Sequence, residues 1–137
     1  MQEFEDELAN LGVKNFVVNR NRIEPDLNGR LKTKSFNFSF GKISDSGHLY
    51  YRRNVKFEPV QSGYIQSKTL SEINIAFAMG KPAVLSTHKV NYVGSLSKAH
   101  RDENLSELSS ILRNVVEKHP DVVFMSSREL CQLMRKN

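Results

Sequence analysis

Three observations in this 137-residue sequence predict an α/β fold of parallel strand–helix units. Short apolar runs suited to buried strands (13–18, 82–86 and 122–125) alternate with stretches of helical periodicity. Capping residues and glycines punctuate those stretches where helices should start and stop. One long segment, 19–66, interrupts the rhythm with period-two alternation of its own. Strands alternating with helices at these lengths argue for βαβ units.

The elements follow in order. Phe4, Leu8 and Leu11 sit at helical spacing and Gly12 follows them, so 2–11 reads as a short helix. The run VKNFVV (13–18) is β-rich and suits a buried strand. In the interruption, FNFSF places Phe36, Phe38 and Phe40 on one face. GKISDSG turns the chain, and HLYYRRNVKF returns with Leu49, Tyr51, Val55 and Phe57 on one side. The pattern predicts a β-hairpin of two long strands. Pro25 and Asn28-Gly29 mark the loop entering it, and Pro59 and Gly63 the loop leaving it. Thr69-Leu70-Ser71-Glu72 has the form of a capping box, and Leu70, Ile73, Ala76 and Phe77 form a stripe ending at Gly80. PAVLS (82–86) is the next strand. A long helix over about 102–118, with Asp102 as its candidate N-cap, carries Leu105, Leu108, Ile111, Leu112, Val115 and Val116. VVFM (122–125) is a third strand, and Ser126 with Glu129 opens a last helix.

Length and composition fit one domain over 1–137, with 19–66 a basic hairpin insertion within it. A hydrophobic fraction of 39% and a charged fraction of 26% exclude a disordered chain. No apolar run approaches the ~20 residues of a membrane span. The acidic, amphipathic N-terminus is unlike a secretory signal, so a natural start at Met1 would imply a cytoplasmic protein. The single cysteine, Cys131, falls in an apolar helical stretch and reads as a packing residue. The net charge of +5 is unevenly spread. Residues 1–13 carry four acids and no bases, 14–58 ten bases against four acids, and 59–137 ten against seven. A basic middle segment admits polyanionic partners, although a solvated hairpin face is the commoner explanation of such a bias.

Loops after the C-terminal ends of parallel strands form the active face of such folds. His88 lies there, after PAVLS, with Asn91 and Tyr92 just beyond. An imidazole is a natural general acid near neutral pH, and a loop histidine capping a carbonyl is the alternative. Arg53 falls on the otherwise apolar face of its predicted strand, where a charge needs a paired carboxylate or a bound anion. Asn54 points to the other face. No two histidines stand three or four residues apart and no Cys-x-x-Cys occurs, so no self-contained metal motif is present. Phosphate-binding glycine loops and a Gly-x-Ser-x-Gly elbow are also missing.

From RNRIEP onward the sequence resembles the C-terminal half of bacterial proteins of the polysaccharide deacetylase superfamily. The resemblance runs through GRLKTKSFNFSFGKISDSGHLYYRRNVKFEP, AFAMGKPAVLSTHKVNYVGSL, RDENL and HPDVVFMSSREL, over about residues 12–134. It implies a partial (β/α) barrel of the deacetylase type, here with three strand–helix units and the inserted hairpin. It also implies a hydrolase that uses a divalent metal, usually zinc, to remove acetyl groups from amino sugars or glycans. By position His88 resembles the late histidine that protonates the leaving amine, and Asn91, Tyr92, Arg53 and Asn54 would line or support the glycan cleft. The superfamily's aspartates and His-x-x-x-His ligands belong to an N-terminal half that this chain does not contain, so the chain alone should bind no metal and be inactive. Where the superfamily commonly carries Leu-x-His, this chain has Ser86-Thr87-His88, and Leu85 faces the opposite way. Two further readings stay open: a non-catalytic carbohydrate-binding module, and nucleic-acid binding by the basic, aromatic hairpin. The second is disfavoured because phenylalanines on one face more often pack on a core.

Overall fold

The computed structural model describes residues 2–18, 21–26, 28–35, 40–94 and 97–136. In chain order its elements are helix α1 (Gln2–Asn10) and strands β1 (Asn15–Val17), β2 (Asn21–Pro25), β3 (Leu31–Ser35), β4 (Leu49–Tyr51) and β5 (Val55–Lys56). Helix α2 (Gln66–Ala78), strand β6 (Leu85–Ser86), a 3-10 turn (Lys89–Tyr92) and helices α3 (Lys98–Lys118) and α4 (Ser127–Met134) follow. The fold is mixed α/β, and among the described residues the sheets are two-stranded and no closed barrel forms. The chain divides into two compact units, Met1–Arg52 with Met125–Asn137, and Arg53–Phe124.

In the first unit β1 pairs parallel with β4, Phe16 opposite Tyr50. All three residues of β4 are buried, as expected of a parallel strand. The Tyr50 hydroxyl donates to Glu5 of α1 at 2.8 Å, which gives that buried carboxylate a partner. Strands β2 and β3 form an antiparallel hairpin, Ile23 opposite Thr33. Its bend is fixed by Asp26, whose carboxylate accepts from the backbone N–H of Asn28 and of Arg30, each at 2.9 Å. A second bend returns the chain at 44–48, where the N–H of Ser44 donates to the carbonyl of His48 at 2.8 Å. Gly47 there has φ +79°, a conformation that favours glycine. Helix α4 starts with the predicted capping box: Ser126 Oγ accepts from Glu129 N–H, and the Glu129 carboxylate accepts from Ser126 N–H. Beyond α4, the Arg135 guanidinium donates to the carbonyls of Gly47 (3.1 Å) and Lys14 (2.8 Å).

In the second unit β5 pairs parallel with β6, Val55 opposite Leu85 and Lys56 opposite Ser86. Its core is Val55, Phe57, Ile73, Ile111 and Val115, with Leu85, Tyr92 and Val122 packed against it. Leu70, Ile73 and Phe77 of the α2 stripe and Leu108, Ile111 and Val115 of the α3 stripe face this core, whereas Leu105 and Val116, read as part of the α3 stripe, are exposed. Most of the PAVLS run lies outside the ladder because a side chain does the pairing. Asn54 Oδ1 accepts from Val84 N–H at 2.7 Å, and Asn54 Nδ2 donates to the Pro82 carbonyl at 3.0 Å.

Several expectations need correction. Among the described residues the long hairpin is found only around its turn, where Ile43 and Leu49 form an antiparallel bridge, and 36–39 of its expected first strand lie outside them. Its second strand divides into β4 and β5, each in a parallel pair, and the segment expected as an entry loop is itself the β2–β3 hairpin. Phe36 and Phe38 lie outside the described residues, while Phe40 is partly buried. VVFM forms no ladder among the described residues: Val122 packs on the core, but Val123, Phe124 and Met125 are exposed. The expected count of three core strands thus becomes two parallel pairs. Helix α2 begins at Gln66, ahead of the supposed capping box. Thr69 Oγ1 donates instead to the Lys56 carbonyl (2.8 Å) and Glu72 Oε2 accepts from Lys56 N–H (2.8 Å), so the two residues dock the helix on β5. Helix α3 is capped by Ser97, and Asp102 lies inside it, bonded to the Arg101 side chain.

Candidate active site

The second unit brings a histidine and a carboxylate together where its two strands end. Phe57, buried in the core just past β5, is followed by Glu58, and Pro59 opens a turn in which Gln61 N–H donates to the Glu58 carbonyl at 2.9 Å. Strand β6 is followed by Thr87 and His88, and the 3-10 turn then carries Asn91 back beneath them, with Asn91 N–H donating to the His88 carbonyl at 3.0 Å.

Glu58 is buried, 8% exposed, and a buried carboxylate needs partners. It has two: His88 Nδ1 stands 2.6 Å from Oε1, and Asn91 Nδ2 donates to Oε2 at 3.0 Å. An ionised carboxylate only accepts, so the bridging proton belongs on Nδ1 and Nε2 is left free for chemistry. The imidazole itself is 77% exposed. A carboxylate fixed from behind holds the ring's tautomer and orientation, while the reactive nitrogen faces outward.

Behind the pair lies a polar network. Asn91, 1% exposed, also donates to Thr87 Oγ1 at 3.1 Å, and that oxygen is 2.9 Å from the Tyr92 hydroxyl. From α3, Asn104 Nδ2 donates to the Asn91 carbonyl at 2.9 Å. Burial raises the Tyr92 hydroxyl above the usual tyrosine pKa, so it stays a neutral hydrogen-bonding group. Asn91 Oδ1 is buried without a hydrogen-bond partner. Its amide is oriented by the Glu58 carboxylate, which accepts only from the nitrogen.

In front lies an open cleft of about 550 Å³, lined by Arg53, Lys56, Glu58, Glu72, Ser86 and His88 among others. A smaller hollow of about 150 Å³ shares Lys56, Glu58 and Glu72 and extends to Tyr64, whose hydroxyl burial pushes up to about 12. Among the described residues, no group of three or more His, Cys, Asp or Glu side chains is placed to hold a metal ion. The described residues therefore do not by themselves supply the ligand set of the divalent metal that the resemblance implies. No described helix is long and apolar enough to cross a membrane.

Of the residues singled out in the sequence, His88 and Arg53 face the cleft. Asn54 also lines it, but its carboxamide is engaged by the 82–84 backbone. Asn91 and Tyr92 act one layer back, through Glu58 and Thr87. Arg53 is exposed instead of sharing the buried face of Tyr51 and Val55, because the strand is interrupted between β4 and β5. No carboxylate pairs with it among the described residues. Ser86 lines the cleft while Leu85 packs on the core, which is the alternation that the sequence required. Sequence reading missed Glu58. The signal was there in NVKFEP: an acid at the exit of an apolar strand, the criterion that selected His88.

Comparison of this chain with protein-family models, with curated proteins and with solved structures returns no match.

Proposed function

We propose that this chain supplies the proton-transfer wall of a carbohydrate deacetylase-like hydrolase, with β5 and β6 as part of the wall of an incomplete (β/α) barrel. The observation that carries the reading is the exposed His88 imidazole held through Nδ1 by the buried Glu58 carboxylate on the rim of a polar cleft. In amide hydrolysis a water oxygen bonds to the acetyl carbon, the C–N bond breaks, and the departing nitrogen takes up a proton. His88 Nε2 is the donor of that proton, and Glu58 stabilises the imidazolium that gives it. Asn91 positions Glu58, and Ser86 stands beside the histidine where the superfamily commonly places a leucine. The water-activating groups and metal ligands lie, in this reading, outside the chain.

The test is acetate release from acetylated chitooligosaccharides by the chain alone and together with the segment encoded immediately upstream. No release is expected from the chain alone. The combination should be active, and His88→Ala should lower its rate by about 10²–10⁴-fold, the usual contribution of general acid catalysis. Activity that survives His88→Ala overturns the assignment. Glycan binding without turnover in the combined protein favours a carbohydrate-binding module instead.

A further inference from the structure

The cleft in front of His88 holds two cations and two carboxylates, and they are used unequally. Both Glu58 oxygens are engaged, by His88 and by Asn91. Glu72 turns Oε2 to the backbone N–H of Lys56. The side chains of Arg53 and Lys56 line the same hollow, are exposed, and make no hydrogen bond or ion pair among the described residues. Cations present only to balance charge would pair with the acids beside them. Here those acids are committed to the backbone and to the histidine.

The backbone beneath the guanidinium is held as well. Asn54, the next residue, bonds the 82–84 segment through both ends of its carboxamide, and its N–H donates to the Val84 carbonyl at 3.1 Å. Arg53 therefore extends from a fixed base into a cleft that leaves it without an acceptor. A guanidinium in that position presents a planar fork of donors suited to carboxylate or phosphate oxygens, and an adjacent lysine adds a compact charge.

From these observations we propose that the substrate of the His88 cleft is an anionic glycan, its carboxylate or phosphate held by Arg53 with Lys56 while His88 serves the reacting bond. The proposal rests on the carbohydrate reading above and adds the substrate class. Arg53 and Lys56 would then select the substrate, and the Glu58–His88 pair would act on it.

Binding of four probes to the 137-residue chain, followed by residue-resolved NMR titration at low ionic strength, tests it. The probes are trigalacturonate, chitotriose, glucose 6-phosphate and inorganic phosphate. The expected result is that trigalacturonate or glucose 6-phosphate binds at least tenfold more tightly than chitotriose, with shifts at Arg53, Lys56 and Ser86. Whichever binds better names the source of the anion. Arg53→Gln should remove most of that preference, read as the ratio of acidic to neutral glycan binding by the same variant. Because both side chains are exposed and unbonded, Arg53→Gln and Lys56→Gln should leave the fold intact, which amide spectra check. Equal binding of acidic and neutral glycans, or an acidic preference that survives Arg53→Gln, overturns this proposal while the carbohydrate reading stands. Inorganic phosphate binding as tightly as either anionic sugar also overturns it, by showing an ion site indifferent to the sugar. Failure of every glycan to shift the cleft residues overturns both readings.

Discussion

The two parallel strand pairs each carry a histidine, at opposite ends of a strand and in opposite circumstances. His48 immediately precedes β4 and is 2% exposed, its ring edge-on to Phe16 with centroids 5.2 Å apart. His88 follows β6, and its ring is 77% exposed and tied by one nitrogen to a buried carboxylate. At the entry of a parallel strand the imidazole serves as an aromatic packing group; at the exit it is offered to solvent on a rigid mount. In parallel α/β folds, residues at the entry ends generally serve stability and those at the exit ends chemistry, and the role proposed for His88 would follow that division. Residue type alone would not separate them, whereas position relative to the strand does.

The largest expected effect tests whether the His88 mount is rigid because of the core beneath it. Phe57 is fully buried between β5 and Glu58, and it packs edge-on to Tyr64. Phe57→Ala should cost about 3–5 kcal/mol by urea denaturation, from lost burial plus the cavity left behind. The Glu58–His88 contact should loosen with it, visible as greater averaging of the His88 ring signals. A stability loss below about 1 kcal/mol would show that Phe57 does not anchor the site.

The next separates the polar groups that hold the site from those that it offers. Asn54→Ala strips partners from the Pro82 carbonyl and the Val84 N–H, and a loss of about 2 kcal/mol is expected for two hydrogen bonds to partly buried backbone. His88→Gln replaces a mostly exposed ring and keeps an amide donor for the buried Glu58 carboxylate, so it should cost about 1 kcal/mol or less. If His88→Gln proves the more damaging of the two, the imidazole is a structural group and the proton-transfer reading fails.

Much of this was legible in the sequence because the deciding signals were local. The capping box at Ser126 needs only a hydroxyl and a carboxylate three residues apart, and it formed as read. The stripe of α3, including Ile111 and Val115, faces the core for the same reason. The site position of His88 followed from its place after an apolar run. What failed depended on partners distant in sequence. The alternation of 48–57 correctly marked Leu49, Tyr51, Val55 and Phe57 as buried, but period two is the same whether the neighbour is antiparallel or parallel. Nothing local told VVFM that no strand among the described residues would pair with it. Thr69 and Glu72 have capping-box spacing, yet Lys56 offered its carbonyl and N–H, and a partner 13 to 16 residues away prevailed over the helix start. Glu58 was overlooked because its meaning depends on His88, 30 residues away.

The smallest expected effects set the two units against each other through pH. In the first unit the Ser126 N–H and hydroxyl hold the Glu129 carboxyl below its ordinary value of 4.5. The folded state therefore binds that proton less readily than the unfolded chain. The stabilisation is complete above 4.5 and is lost as pH falls through the lowered value. Asp26 is lowered in the same sense, chiefly by the backbone N–H of Arg30. In the second unit the sign is opposite: burial raises Tyr64 from 10.0 to about 12, so folding favours its neutral form. Its contribution is whole below 10 and disappears between 10 and about 12, as the unfolded chain ionises first. Burial also raises Cys131 in the first unit, so single substitutions are needed to assign the alkaline loss. Glu129→Gln should flatten the acid limb of a stability–pH curve and leave the alkaline limb alone, and Tyr64→Phe should do the reverse. Hydrogen exchange should show protection falling first in α4 on the acid side and around β5 and α2 on the alkaline side. An alkaline limb unchanged by Tyr64→Phe would assign the loss to Tyr92, which keeps it in the second unit, or to Cys131 in the first, and a limb that Tyr92→Phe also leaves unchanged would remove the second unit's distinctive response.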